Sequence, residues 1–363
     1  MSKPDDRAST LASRKDDHIA LCADGDTVAF RGKTTLLEEV ELVHDALPDL
    51  RVADVDLGTE FAGKRLRAPL VIAAMTGGTP QADGINRDLA RVAEAHGIGF
   101  AFGSQRPLLV RGVTHGYHVR DVAPTALVLG NIGIVQARDT STQRLREMLD
   151  VSGADALCVH LNPAMEVVQP EGDSDFSAGL DTVRRLLGEL DRPIIVKETG
   201  CGLSRRVGER LVSIGVTHVD VSGAGGTSWV GVEARRAQAG QAALGELYWD
   251  WGIPTAASVA QLSDLGLTIC ATGGVQHGLD AARALALGAR VAGIARPFLQ
   301  AQARGYEALD AAVGGVIDAI RVAHLLTGSA NGHALRQTPL VLGPRLLRWV
   351  PRGSSLRGRL LEA

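Results

Sequence analysis

Short apolar runs, many of them β-branched, alternate with amphipathic stretches through most of this chain. The runs fall at Leu70–Met75, Ile98–Phe102, Ala126–Leu129, Leu157–Leu161, Ile194–Val196, His218–Val221, Thr268–Ala271 and Val291–Ile294. Each ends in a polar or glycine-rich turn and leads into a stretch with helical spacing. In ADGINRDLARVAEAHG, Ile85, Leu89, Val92 and Ala93 share one helical face, and Gly97 stands where the helix should stop. TQRLREMLDVSG, AGLDTVRRLLGEL, SRRVGERLVSIG, AASVAQLSDLG and GLDAARALALG repeat the pattern, and several close on glycine, the residue suited to a left-handed C-cap. Eight runs alternating with helices predict a single α/β domain of the (β/α)8 TIM-barrel type. An open doubly wound sheet would carry G-x-G-x-x-G after its first strand, whereas the first turn here reads Thr76-Gly77-Gly78. The spacing between runs is even except for a longer gap between the sixth and seventh.

This reading divides the chain into residues 1–12, without apolar periodicity and read as disordered, an N-terminal extension packing on the barrel (13–69), the barrel (70–343) and a C-terminal tail (344–363). The tail carries several arginines and a few apolar residues and suits either a free end or an oligomer contact.

Composition narrows the class. The chain has 363 residues, 45% of them apolar, which is enough to bury a core without disulfide or metal. The 38 Lys and Arg against 41 Asp and Glu, with no basic block in the central region, argue against a nucleic-acid-coating protein. No apolar run approaches the roughly 18 residues of a spanning helix, and the polar, acidic start MSKPDDRASTLASRKDDH is not a secretory signal. Cys22, Cys158, Cys201 and Cys270 are far apart, without metal-type spacing, and read as small buried residues kept reduced in a cytoplasmic protein. Cys201, beside a glycine in a site loop, keeps open a reactive thiol.

In a barrel, chemistry collects at the carboxyl ends of the strands. Those positions hold Thr76-Gly77-Gly78, Gly103-Ser104-Gln105-Arg106, Gly130-Asn131, His160-Leu161-Asn162, Lys197-Glu198, the Ser222–Thr227 loop, Gly273-Gly274 and Ala295-Arg296. Gly273-Gly274 follows the seventh strand, where backbone N–H groups reach phosphate oxygens. The Ser222–Thr227 loop suits a phosphate or a flavin edge. Lys197 ends a very apolar strand and needs an anionic partner, either an electron-rich ligand such as the N1–C2 edge of a flavin or a carboxylate such as Glu198. His160 and Asn162 share parity and can both face the barrel interior. Glu166 is either a solvated loop charge or a ligand for Mg²⁺, which one carboxylate, waters and substrate phosphates commonly hold. Near the start, Ser13 could cap a helix, and Arg14 and Lys15 could close over an anionic substrate.

Taken together, SRKDDHI, APLVIAAMTGGT, INRDLARVAEAHGIGFAFGSQR, GNIG, HLNPAMEVVQPEGD, PIIVKETGCGLS, VDVSGAGGTSWVGVE and ATGGVQHGLDAARALALGA resemble the type 2, FMN-dependent isopentenyl-diphosphate delta-isomerases, from about Ser13 to about Gly328. The resemblance implies a (β/α)8 barrel with bound FMN, active when reduced by NADPH or another reductant, with Mg²⁺, and a homo-oligomer (tetramer or octamer). It implies that Ala74, Met75, Thr76, Ser104, Asn131, Lys197, Ser222 and Thr227 line the flavin, and that Gly273, Gly274, Ala295 and Arg296 grip its phosphate. Arg14, Lys15, Arg106, His160 and Asn162 would hold an isoprenyl diphosphate substrate, and Glu166 the metal. His160, Asn162 and position 165 would lie nearest the chemistry, which moves a carbon–carbon double bond between isopentenyl and dimethylallyl diphosphate.

Met165 departs from the family pattern, which has glutamine immediately before the metal-binding glutamate. A thioether is a weak acceptor and cannot relay a proton. The alternative reading is therefore a flavin-binding paralogue acting on another prenyl diphosphate or with a non-isomerase role. An FMN-dependent 2-hydroxy-acid oxidase would want a histidine base and a carboxylate-binding arginine near the sixth strand, and VSGAGGTSWVG has neither. An inosine-monophosphate-dehydrogenase-like enzyme would need a nucleophilic cysteine in a mobile loop, and nothing around Cys201 resembles that signature.

Overall fold

The computed structural model describes residue 21, residues 25–169 and residues 172–361. All eight apolar runs become strands of one closed parallel barrel. In chain order these are β4 (Leu70–Ile72), β5 (Gly99–Ala101), β6 (Leu127–Gly133), β7 (Ala156–Leu161), β8 (Ile194–Glu198), β9 (His218–Asp220), β10 (Thr268–Ala271) and β11 (Val291–Ile294). Neighbours in sequence pair around the ring, and β11 closes it on β4 through Ala292↔Leu70, Gly293↔Val71 and Ile294↔Ile72.

The helices form where the apolar spacing places them, and polar caps set their ends. The Pro80–His96 helix starts on Thr79, whose side chain accepts from the Ala82 N–H, and stops at Gly97 in the left-handed region at φ 63°. Ser141, Ser204 and Ser228 cap three later helices in the same way. The long gap between the sixth and seventh runs is filled by helices at Trp229–Arg236, Ala239–Leu247 and Thr255–Leu262.

Because side chains alternate along a strand, one parity faces the helices and the other faces the barrel axis. Leu70, Ile72, Val128, Leu157, Val159, Ile194, Val196 and Val219 join the large core under the helices. Leu127, Leu129, Ala156, Cys158, Ile195, Cys270 and Val291 form a second apolar cluster along the axis. Continuing the same parity toward the carboxyl ends brings Asn131, His160, Lys197, Asp220 and Thr272, all buried. The interior is thus apolar through its lower layers and polar in its top layer.

The extension supplies the floor. Strands β2 (Thr59–Phe61) and β3 (Lys64–Leu66) make an antiparallel hairpin, and Phe61 and Leu66 join the axial cluster. Phe61 meets His218 edge to face, with ring centroids 5.5 Å apart. Earlier in the chain, β1 (Val40–Leu42) pairs with β12 (Leu340–Leu342) outside the barrel, joining the extension to the end of the fold. The 344–361 stretch packs back on the protein. Leu346, Val350 and Leu356 are buried, and Arg345 meets Glu38 and Glu39. Residues 1–20, with the Ser13 cap, lie outside the described residues, as does Cys22.

Phe61 is 1% exposed and closes the lower end of the axial cluster. Phe61→Ala should cost about 3–5 kcal/mol of stability, read as a lower urea midpoint with an unchanged slope. A shift of less than about 1 kcal/mol would mean the hairpin does not close the barrel.

Candidate active site

Strand ends and the loops after them enclose one cavity at the carboxyl end of the barrel. Ala74, Met75 and Thr76 line it after β4, Ser104 and Arg106 after β5, and Asn131 from β6. His160, Asn162, Met165 and Glu166 come from β7 and its loop, and Lys197 from β8. Ser222 and Thr227 follow β9, Gly273 and Gly274 follow β10, and Ala295 and Arg296 follow β11. Every described residue that the resemblance assigns to flavin, substrate or metal therefore reaches the same cavity, whereas Gln105, Gly130, Glu198 and Cys201 do not line it. Arg14 and Lys15 lie outside the described residues. Gln136, Thr199, Asp220, Trp229, Thr272 and Gln276 also line it and were not expected. Strand parity could have found Asp220 and Thr272, which point the same way as the apolar axial residues below them. Gln136 and Trp229 carry no comparable signal, because they sit in helices that follow the strands.

His160 is held in one tautomer. The Asn131 amide donates to the Phe102 carbonyl at 3.0 Å, which turns its oxygen toward His160 Nδ1 at 2.9 Å. Nδ1 must then carry the proton, leaving Nε2 as the second ring nitrogen. Burial, with the cations of Lys197 and Arg106 adding to it, pulls the His160 pKa down to about 3. Gln136 is also oriented: its amide donates to Asp173 at 2.6 Å. A Cβ on Gly133 would come within 2.2 Å of the Gln136 oxygen and 3.0 Å of His160 Nε2, so this glycine admits both.

Glu166 is buried rather than solvated. Asn162 donates to one carboxylate oxygen at 2.7 Å and the Asp173 N–H to the other at 2.9 Å. Each oxygen keeps a lone pair. Among the described residues no group of three or more His, Cys, Asp or Glu side chains gathers as a metal cage. A cation at Glu166 would therefore complete its shell from water and a ligand.

Lys197 finds partners within the protein as well as a place in the cavity wall. Its ammonium donates to the Glu198 carbonyl and lies 3.9 Å from the Asp220 carboxylate. Asp220 in turn accepts from Thr272 Oγ1 at 2.6 Å. Burial raises the Asp220 pKa, with Lys197 and Thr272 opposing it. Glu198 accepts from the N–H groups of Thr199, Gly200 and Cys201, yet burial outweighs these bonds and lifts its pKa to about 7. The Cys201 thiol is pushed up by burial and by Glu198, so it stays protonated, against a reactive thiolate there.

Between the Ser222–Thr227 loop and Gly273-Gly274, backbone packs directly on backbone. Gly225 has φ 121°, and a Cβ there would meet the Thr35 N–H at 2.2 Å. Gly274 has φ 72°, and its Cβ would meet Thr35 Cγ2 at 2.5 Å and the Gly225–Gly226 peptide at 2.8 Å. Ser222 holds φ 35°, a strained value for a residue with a side chain. Thr76 Oγ1 is buried in the cavity wall with no hydrogen-bond partner among the described residues. A glycine-lined cradle for phosphate, a buried cation beside the cavity and an orphaned hydroxyl together suit a flavin mononucleotide.

The family model for FMN-dependent dehydrogenases matches residues 10–162 and 142–341. An isopentenyl-diphosphate delta-isomerase of Methanosarcina barkeri is 42% identical over 340 residues, covering 92% of this chain and 93% of its own. Its counterpart from a Synechococcus species is 43% identical over 349 residues, covering 95% of this chain and all of its own. Among solved structures, a mandelate oxidase variant with (S)-mandelic acid superposes with a TM-score of 0.66 at 18% identity, over 93% of this chain and 97% of its own. That likeness is one of fold.

The buried imidazole has a measurable consequence. In ¹⁵N-histidine spectra of the protein without substrate, His160 should stay neutral with Nδ1 protonated from about pH 8 to about pH 5. Its folded pKa of about 3 lies below the ordinary 6.5, so its contribution to stability is complete above 6.5 and is lost as pH falls toward 3. Titration of this ring near neutral pH would contradict the assignment.

Proposed function

Because this chain belongs to the isopentenyl-diphosphate delta-isomerases within the FMN-dependent dehydrogenase family, we propose that it interconverts isopentenyl and dimethylallyl diphosphate on reduced FMN, in isoprenoid biosynthesis. The observation that carries this reading is the convergence of a glycine cradle, a buried lysine and a His–Asn–Glu cluster on one cavity. Gly273, Gly274, Ala295 and Arg296 would take the FMN phosphate. Ala74, Met75, Thr76, Ser104, Asn131, Ser222 and Thr227 would surround the ring, and Lys197, partly neutralised by Asp220, would face its electron-rich edge. When bound, reduced FMN would supply the electron-rich ring chemistry that favours developing positive charge on the substrate.

The chain's own residues bind and orient the substrate. Arg106 would offer its guanidinium to the diphosphate, with Asp173 4.0 Å away limiting its swing. His160 presents Nε2, and a diphosphate beside it would hold a proton there by its charge. Asn162 would position both substrate and Glu166, and Glu166 would share Mg²⁺ with the diphosphate oxygens. Arg14 and Lys15 would complete the anion site. Met165, half-buried in the wall of the cavity, offers the hydrocarbon chain an apolar surface that excludes water. NADPH or another reductant would keep the flavin reduced, and the working protein would be a cytoplasmic homo-oligomer, a tetramer or octamer. Among the described residues no helix is long and apolar enough to cross a membrane.

The protein should convert isopentenyl diphosphate when given FMN, reductant and Mg²⁺, and product should vanish when the flavin is left oxidised. Bound FMN with no product under reducing conditions would move the reading to the paralogue with another substrate. Met165→Gln should leave turnover within about tenfold of the parent, a change of under ~1.4 kcal/mol in barrier. A larger rise would show that the reaction lacks a side-chain amide. Glu166→Gln should raise the Mg²⁺ concentration for half-maximal turnover at least about tenfold, and an unchanged requirement would remove Glu166 from the metal site.

A further inference from the structure

Gln136 lines the cavity near His160, yet the proposed reaction assigns it no part. It sits half-buried in the short Ile134–Arg138 helix that follows β6. Asp173 decides which way its amide points. Gln136 Nε2 donates to the Asp173 carboxylate at 2.6 Å, and only the NH2 end of an amide can make that bond. The carbonyl oxygen Oε1 therefore faces away from Asp173, toward the open side of Gly133. His160 Nε2 faces the same point, since a Cβ on Gly133 would lie 2.2 Å from Gln136 Oε1 and 3.0 Å from His160 Nε2. Asp173 is itself held in place. Its N–H donates to Glu166 at 2.9 Å, and a Cβ on Gly172 would come within 1.8 Å of the Glu166 carbonyl oxygen, so this turn packs directly on that backbone. Arg106 lies 4.0 Å from the same Asp173 oxygen that Gln136 uses.

Two hydrogen-bond acceptors thus flank one point. With Nδ1 protonated against Asn131, His160 Nε2 offers a lone pair, and so does Gln136 Oε1. Among the described residues no donor bonds either atom. The pair becomes complementary only when the ring gains a second proton, because Nε2–H then donates. In the protein alone, burial opposes that proton, and so do Lys197 from β8 and Arg106 from the loop after β5. Among the described residues no carboxylate forms an ion pair with the ring. A diphosphate beside it reverses the balance, because it brings the opposite charge.

We propose that Gln136, aimed by Asp173, is a further positioning residue whose carbonyl oxygen accepts from His160 Nε2 once a bound diphosphate has drawn a second proton onto the ring. The proton comes from solvent, and no other covalent bond forms or breaks. Asn131 and Gln136 then place one amide oxygen at each ring nitrogen, which fixes the plane of the imidazolium beside the diphosphate. Without Asp173 the amide is free to turn over. Its NH2 group would then donate to Nε2 and hold the ring neutral. The inference rests on the proposed function only in taking a diphosphate as the ligand of this cavity.

¹⁵N-histidine spectra of the FMN-loaded protein with Mg²⁺ and millimolar inorganic pyrophosphate test it. In the parent at neutral pH, pyrophosphate should convert His160 from the neutral ring to the doubly protonated one. Gln136→Met keeps the length of the side chain but offers only a weak acceptor. Asp173→Ala keeps the backbone contact to Glu166 and releases the amide. Each should lower the ratio of protonated to neutral ring about tenfold, a displacement of about one pH unit in its titration. The Nδ1–H signal without pyrophosphate should persist in both variants, which separates the effect from a disrupted site. Parent-like titration with pyrophosphate in either variant, or a parent ring that stays neutral, would overturn the proposal. A parent ring that gains the second proton, in a protein that forms no dimethylallyl diphosphate, would support the proposal and count against the isomerase reading instead.

Discussion

Closure of the eight-stranded ring is the constraint on which everything else in this protein depends. Once β11 pairs with β4, alternate residues of every strand are committed to the axis, and their identities decide what each layer can be. The lower layers hold Leu127, Leu129, Cys158, Ile195 and Cys270, with Phe61 beneath them. The top layer holds Asn131, His160, Lys197, Asp220 and Thr272. The apolar layers exclude water from below, so polar groups at the top must satisfy one another or a ligand. Most satisfy one another: Lys197 leans on Asp220, Asp220 on Thr272, and His160 on Asn131, while among the described residues Thr76 Oγ1 has no partner in the cavity wall.

That arrangement spends little motion on binding. Asn131 fixes the tautomer of His160, Asn162 and the Asp173 N–H fix the Glu166 carboxylate, and Glu198 gathers the N–H groups of the loop that follows β8. Orientation set before the ligand arrives avoids the entropy and reorganisation that a flexible site would bear during reaction. In the proposed isomerisation, which involves no net redox change, such positioning would be the protein's main contribution. The apolar side chain of Met165 lines the same cavity and, as a thioether, cannot relay a proton, so in that proposal it would shape the site.

The two ends of the barrel treat charge differently. At the carboxyl end, buried cations are set beside carboxylates or the cavity. At the amino end, Lys64, Arg120 and Asp155 form a compact paired group. The Pro344–Leu347 helix and the segment after it bring Arg359 to that end, and they also tie to the extension through Arg345 and Glu39. A stretch that reads as a tail in sequence is therefore part of the packed structure.

Much of this was legible in the chain itself. The eight runs, their order and the helices between them follow from local periodicity, because burial on a strand or helix imposes a repeat of two or about 3.6 residues. The site was legible at strand ends for the same reason: a parallel barrel delivers those positions to one rim whatever their identity. Gln136 and Trp229 were not, since they reach the cavity from helices whose direction depends on packing. Nor could spacing decide whether Lys197 met a carboxylate or a ligand, or whether Glu166 was solvated, because those outcomes depend on neighbours distant in sequence. The docking of Arg359 is a further case, since its donation to the Arg336 and Ala286 carbonyls depends on how the C-terminal segment packs. The sequence by itself determined the repeating elements, the ring and the residue types around its mouth, because these rest on short-range periodicity. Tertiary structure alone decided the tautomer of His160, the partners of each buried charge and the docking of the C-terminal segment, because electrostatic balance depends on distances in space.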